Sequence, residues 1–415
     1  TMNAASPSRA GFPLIGAEHP GLILSLAVFL LMLALPAPSG LDPVAWRVAA
    51  IGVVMAALWI SEAIPVAATA LLPLALFPPL GIAPMPVAAA PYANPLIFLF
   101  LGGFLLALAV ERSGLHRRAA LLVLNAVGAR EDRQIAGFML ATALLSMWVS
   151  NTATTIMMLP VALSVIPRDD NGAIQPEKRG FAIALLLSIA YSATIGGLAT
   201  LIGTPPNALL AGYLQQTYGI EIGFARWMFV GIPLSAKLLA LCWYLLTRSL
   251  YAVGREDCDS RRAAITAELD ALGTISCAEK RAGLVFLSAA TLWLSRPLLQ
   301  EWFPQLSLSD AGIAIGCALA LFAIPAGNGS ADKLMDWKGA ERLPWGVLLL
   351  FGGGLSLAAA VTDSGLASWI GSGLQGLAGW PMIVLLLAVT GLIIGLTEMA
   401  SNTATTAAFL PILGA

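Results

Sequence analysis

Charge is scarce in this chain. Asp, Glu, Lys and Arg together make up 11% of its 415 residues, against about 25% in a soluble domain. That scarcity excludes a water-facing surface over most of the molecule. Hydrophobic residues supply 58% of the chain and the mean hydropathy is +0.85, so most of the surface must face lipid. A net charge of −1 says nothing about nucleic acid, and no basic stripe suggests such a partner. The cysteines, Cys242, Cys258, Cys277 and Cys317, lack the spacing of a disulfide framework or a zinc cluster. Histidine occurs only at His19 and His116, outside the apolar runs, and no His-Glu-x-x-His, Gly-x-Ser-x-Gly or paired-Asp cluster is present. The usual intramembrane hydrolases are excluded with them, and the chain is expected not to be an enzyme. A small-residue cleavage site does not follow Gly21–Leu35 cleanly, so that run reads as a first membrane helix rather than a leader.

What is present is a duplicated polar island. Ser150-Asn151-Thr152-Ala153-Thr154-Thr155 recurs 251 residues later as Ser401-Asn402-Thr403-Ala404-Thr405-Thr406, each copy inside a long apolar stretch. At the same offset Gly102-Gly103 matches Gly353-Gly354, Ser113-Gly114-Leu115 matches Ser364-Gly365-Leu366, and Pro160 matches Pro411. Polar identity at the islands separates a true internal repeat from chance likeness between apolar helices.

Apolar runs predict helices near 21–36, 44–61, 64–80, 95–112, 181–213, 226–250, 282–299, 308–325 and 345–362. The stretch Gln134–Pro167 holds 34 residues without a charge. One helix of that length would reach about 50 Å, against a hydrocarbon core of about 30 Å, and two full spans need about 20 residues each. A re-entrant hairpin with its tip at Ser150–Thr155 fits. Both flanks are basic, with Arg112, Arg117, Arg118, Arg130 and Arg133 before it and Arg168, Lys178 and Arg179 after it, so both read as cytoplasmic. The second island has the opposite setting, because no Lys or Arg follows Arg342. Arg248, Arg255, Arg261, Arg262, Lys280 and Arg281 mark a cytoplasmic loop in the middle of the chain. The two halves then have opposite topology, an inverted repeat of the kind that places a substrate site at the membrane midplane.

An Asn, Ser or Thr at a helix break offers oxygens to a hard cation, and the helix start beyond it offers N–H groups and a positive dipole end to an anion. Neither tip carries Lys or Arg, so a dianion there would need bound cations as its counter-charge, and its binding would depend on them. A second break is expected in Ile195–Asn207, where Pro205-Pro206 remove two donors and Gly203 permits close approach, with the Gly203 carbonyl near the first cation and Thr204 near the anion. The bland alternative is that Ser and Thr only back-bond within their helices and that the prolines make a plain kink. Glu398 is given a structural role near the second tip, and Glu62 an interfacial one at a helix end. Asn328-Gly329-Ser330 fits a glycosylation sequon, which a cytoplasmic position makes meaningless.

The paired Ser-Asn-Thr tips, Ala190-Tyr191-Ser192-Ala193 leading into Ile202-Gly203-Thr204-Pro205-Pro206-Asn207, and Thr397-Glu398-Met399-Ala400-Ser401-Asn402-Thr403 resemble the divalent anion/sodium symporter family across most of the chain. The resemblance implies an all-α polytopic membrane protein of the inner (plasma) membrane, an inverted-repeat transporter with two re-entrant helical hairpins. It implies a homodimer whose protomers pair a scaffold with a mobile transport domain, working by elevator-type alternating access. It implies Na⁺, two or more ions as co-substrate, carried with a small dianion such as a C4-dicarboxylate. In the family's pattern a first Na⁺ site draws on Ser146, Ser150, Asn151 and Gly203, and a second on Thr397, Ala400 and Asn402. Substrate contacts fall to Asn151, Thr152, Thr204, Pro205, Asn402 and Thr403. A Na⁺-independent dicarboxylate exchanger and a sulfate carrier of the same family stay open, and a channel would need a continuous polar pore.

The expected organisation is an N-terminal segment and first helix at 1–43 and a first repeat at 44–250, containing the hairpin 134–167 and the broken helix 181–213. A cytoplasmic linker at 251–281 and a second repeat at 282–415 follow. The counterpart of Gly203–Asn207 would lie beyond Ala415, so the sequence is expected to be a piece of a longer chain. Asn151→Ala and Asn402→Ala are each expected to abolish uptake of labelled dicarboxylate into proteoliposomes while leaving the thermal unfolding of the purified protein little changed.

Overall fold

The computed structural model describes residues 20–128, 130–167, 169, 172–251, 253–254, 259–327, 332–373, 379–398 and 401–413. His19, Arg168, Arg255, Cys258, the 328–330 sequon, Met399 and Ala400 lie outside them. Among the described residues the fold is helical, with one isolated bridge between Pro325 and Lys333. Among the described residues six helices are long and apolar enough to cross a membrane. The chain forms two compact units, one up to Ala89 and from Gly353 onward, the other Ala90–Gly352.

In the first unit, helix Pro43–Ser61 begins with Asp42 accepting the Val44 N–H at 2.7 Å and a proline in its first turn. Glu62 ends it in the left-handed region at φ 48°, the helix-closing place expected for it. The expected membrane helix over 64–80 does not form. Two short helices, Val66–Thr69 and Leu72–Leu76, stand there instead. Pro65, Pro73, Pro78 and Pro79 deny it backbone donors. Ala70, at the interruption, packs directly on Gly353, where a Cβ would collide with the Ala70 backbone.

The second unit carries the first island. Helix Glu131–Ser146 leads to it and helix Asn151–Val165 leaves it. By Lys178 the chain is back where it started, with Nζ 2.8 Å from Glu131 Oε1. Glu131 also accepts the Gly254 N–H at 2.6 Å, and Asp132 holds Arg130 at 3.0 Å and Arg248 at 3.1 Å. These two buried acids tie the base together and complement the positive end of their helix. Above them lies a core of Leu121, Phe138, Met158, Phe181 and Leu185. Helix Arg179–Gly197 then runs beside Glu131–Ser146 in the same direction, so that Ser146 lies against Ala193.

The span expected as a linker, 251–281, holds a helix of its own, Asp259–Ala271, and the start of Cys277–Trp302. Arg117 and Arg118 of the amphipathic helix Leu115–Val127 reach Glu268 at 2.5 Å and Glu279 at 2.6 Å.

The repeat extends to conformation. Gly114 and Gly365 both close helices in the left-handed region, at φ 81° and 76°, and their N–H groups return to Glu111 O and Thr362 O. Each is followed by a shorter helix, Leu115–Val127 and Leu366–Gly373. Gly102, like Gly353, marks a crossing where helix backbones touch, here against Ala314.

The closest crossing beside the first island is Gly196 on Ala143. A Cβ at Gly196 would stand 2.5 Å from both the Cα and the carbonyl oxygen of Ala143. Gly196→Ala must push two helices apart and should cost about 1–3 kcal/mol, seen as a lowered melting temperature in detergent; an unchanged transition would contradict this packing.

Candidate functional site

The first island is a helix break with its backbone accounted for. Met147 N–H and Val149 N–H still return to Ala143 O and Leu145 O, at 3.0 and 2.9 Å. Ser150 then caps the next helix: its hydroxyl accepts the Ala153 N–H at 3.2 Å and its carbonyl the Thr154 N–H at 3.0 Å. The N–H groups of Asn151 and Thr152, in the first turn, have no intrahelical carbonyl to bond. They sit at the positive end of the helix and suit an anion. Thr155 does what the bland reading expected and back-bonds to Asn151 O at 2.8 Å.

The second break lies beside it. Helix Arg179–Gly197 stops, Leu198–Thr204 is unwound, and Pro205–Tyr218 resumes. The released carbonyls are met by side chains from several places. Ser235 Oγ donates to Ile195 O at 2.8 Å, Trp227 Nε1 to Leu198 O at 3.0 Å, and Asn207 Nδ2 to both Gly197 O and Thr200 O at 2.9 and 2.8 Å. Thr200 Oγ1 in turn donates to Met147 O at 2.5 Å, joining the two breaks.

Where they join, polar groups converge. The buried Ser146 hydroxyl stands 2.6 Å from Asn151 Oδ1 and 2.6 Å from Ala193 O, and it has one hydrogen for two acceptors. Gly197 is so close that a Cβ there would lie 2.8 Å from Asn151 Oδ1 and 3.2 Å from Gly203 O. A Cβ at Gly203 would likewise stand 2.5 Å from Gly197 O. None of these groups is ionisable, and a cluster of neutral hydroxyl, amide and backbone oxygens suits Na⁺. The tip is braced from the side by Trp148, whose ring stacks on Phe224 and Trp293 with centroids 5.9 and 6.5 Å away.

Of the residues assigned to the first cation, Ser146, Asn151 and Gly203 are brought together, while Ser150 is exposed and engaged as a cap. Thr204 is the residue before helix Pro205–Tyr218, and Thr152 is exposed at the tip. The second island repeats the local geometry. Thr405 N–H returns to Ser401 O at 2.9 Å and Thr406 Oγ1 to Asn402 O at 2.8 Å. Thr397 Oγ1 bonds Ile394 O at 3.0 Å, and Asn402 and Thr403 open helix Asn402–Leu413. The supporting residues Gly197, Thr200, Asn207 and Ser235 were given no role from the sequence. For three of them the Gly/Pro-rich run 195–207 was the available signal.

A family model described as the sodium:sulfate symporter transmembrane region matches residues 17–415. The chain belongs to that family. Among its relatives, a sodium-dependent dicarboxylate transporter of Staphylococcus saprophyticus is 43% identical over 399 residues, covering 95% of this chain and 77% of that protein. A transporter of the same description from Staphylococcus aureus strain USA300 is 42% identical over 414 residues, covering 98% and 80%. This family member is a multi-pass membrane protein, and its relatives are transporters rather than enzymes.

Gly203→Ala drives a Cβ to within 2.5 Å of Gly197 O, and the break must deform. We expect cation-dependent uptake to be lost and the melting temperature to fall, as for Gly196→Ala; full uptake by this variant would remove Gly203 from the site.

Proposed function

We propose that this protein is a secondary transporter of the plasma membrane that couples Na⁺ entry to uptake of a dianion, a C4-dicarboxylate such as succinate, malate or fumarate. The observation that carries the reading is the oxygen cluster of Ser146, Asn151 and Ala193, which holds one hydroxyl proton for two close acceptors. A cation relieves that crowding directly. The first-turn N–H groups of Asn151 and Thr152 lie at the neighbouring helix start, and with Thr204 and Pro205 they would take a carboxylate. Asn402 and Thr403, at the second tip, are the further substrate contacts that the family resemblance implies. The second Na⁺ would draw on Thr397, Ala400 and Asn402.

Electrostatics then explains coupling. With no Lys or Arg in either island, a dianion entering alone would carry two uncompensated charges into low dielectric. Bound Na⁺ offsets them, so each ligand raises the affinity for the other. The relatives described as sodium-dependent dicarboxylate transporters support both the ion and the substrate class.

The two islands are read as tips of re-entrant hairpins in an inverted repeat. The return of Lys178 to Glu131 and the basic flanks support a base on the cytoplasmic side for the first. A cavity of about 340 Å³ beside this tip is lined by Glu111, His116, Leu145, Val149, Ala153 and Thr154, and it suits the path between site and cytoplasm. Elevator-type motion of a transport domain against a scaffold, in a homodimer, follows from the resemblance to the divalent anion/sodium symporters.

Uptake of labelled succinate into proteoliposomes, with and without an inward Na⁺ gradient, tests the reading. We expect accumulation only with the gradient. Uptake indifferent to Na⁺ but driven by internal dicarboxylate would replace symport with exchange, and sulfate competing out succinate would change the substrate.

A further inference from the structure

We propose that Asn207 is a positioning residue for the first cation: it is the clamp that sets where Gly203 presents its carbonyl, and Thr200 fixes the clamped loop to the hairpin tip. The inference rests on the functional reading above and adds two residues to it.

The chain on either side of the break is held by one side chain. Asn207 is buried, and both hydrogens of its amide are spent on main-chain oxygens, Gly197 O at 2.9 Å and Thr200 O at 2.8 Å. Gly197 is the last residue of one helix and Asn207 lies in the first turn of the next. One side chain therefore closes the unwound stretch on itself, with Gly203 inside the loop it closes. Ser235 and Trp227 also hold carbonyls of this region, but they reach it from helix Phe224–Tyr244 and tie only its near side, Ile195 and Leu198. Pro205 and Pro206 cannot donate, so Asn207 is the first residue of the new helix with an N–H, and that N–H goes to Thr204 O at 3.2 Å. The second tie is Thr200 Oγ1 to Met147 O, 2.5 Å, four residues before Asn151. Together they hold Gly203 against Gly197 and Gly197 against Asn151 Oδ1. Neither Asn207 hydrogen reaches the oxygen cluster, so the residue acts through the carbonyls it holds.

A loosened clamp should alter the size of the cation cavity before it alters the dianion contacts. Asn207→Asp keeps the volume and removes both donors; Thr200→Val keeps the volume and removes one, and Thr200→Ser restores it. In proteoliposomes we expect Asn207→Asp and Thr200→Val to raise the Na⁺ concentration for half-maximal succinate uptake about tenfold, the scale of one displaced hydrogen-bonding partner. The succinate KM at saturating Na⁺ should stay close to wild type, the Na⁺-to-Li⁺ preference should fall, and Thr200→Ser should behave as wild type. In parallel, hydrogen exchange of the amides in 198–204 should speed up in Asn207→Asp while that of Glu131–Ser146 does not. Wild-type Na⁺ dependence together with unchanged loop exchange in a folded Asn207→Asp protein would overturn the clamp. If wild-type uptake itself ignores Na⁺, the coupling reading fails, and the exchange measurement still decides whether Asn207 holds the loop.

Discussion

A main-chain oxygen or N–H that loses its helical partner inside a membrane has nothing to bond but protein or cargo. The cost of leaving it bare, several kcal/mol in hydrocarbon, constrains everything else in this fold. At Leu198–Thr204 the protein meets most of that cost with side chains: Ser235, Trp227 and the two hydrogens of Asn207 cover four carbonyls. It leaves another group of oxygens crowded together. We propose that Ser146, Asn151, Ala193 and Gly203, whose oxygens carry no formal charge, gather there as a place for a small monovalent cation.

The same break supplies the opposite chemistry a residue or two further on. Helix Asn151–Val165 starts with N–H groups that its own carbonyls cannot reach. In the proposed site the cation oxygens come from side chains and carbonyls of both breaks, and the anion donors from the first turn of helix Asn151–Val165. Duplication gives the second island equivalent local geometry, down to the threonine that folds its hydroxyl back onto the asparagine carbonyl. A site assembled from neutral groups leaves its charge balance to the cargo, which is the physical basis proposed for coupling.

Much of this was legible in the sequence. A charge-free stretch too long for one span and too short for two, with a polar hexapeptide at its middle, can be read as helix–break–helix, and the chain takes that form at Glu131–Ser146 and Asn151–Val165. Gly203-Thr204-Pro205-Pro206 likewise announced the second break, because prolines and glycine carry their backbone consequences with them. Residues whose roles depend on what they touch were not legible. Glu131 and Asp132 drew no assignment, since only the folded chain brings Lys178, Arg248 and Gly254 around them. Asn207 followed two prolines and drew no assignment, since only the path of the chain brings Gly197 O and Thr200 O to its amide. The failed helix over 64–80 shows the reverse error, in which hydropathy outweighed four prolines and a backbone crossing at Gly353.

We propose above all that the oxygens of Ser146, Asn151 and Gly203 hold a sodium ion. High-resolution maps of the full protein, prepared once in Na⁺ and once with choline as the only cation, address it directly. The account predicts density bridging Ser146 Oγ, Asn151 Oδ1 and Gly203 O in Na⁺ alone, with the loop 198–204 ordered by it. Identical maps in the two salts, from protein whose uptake still requires Na⁺, would contradict it and place the ion elsewhere.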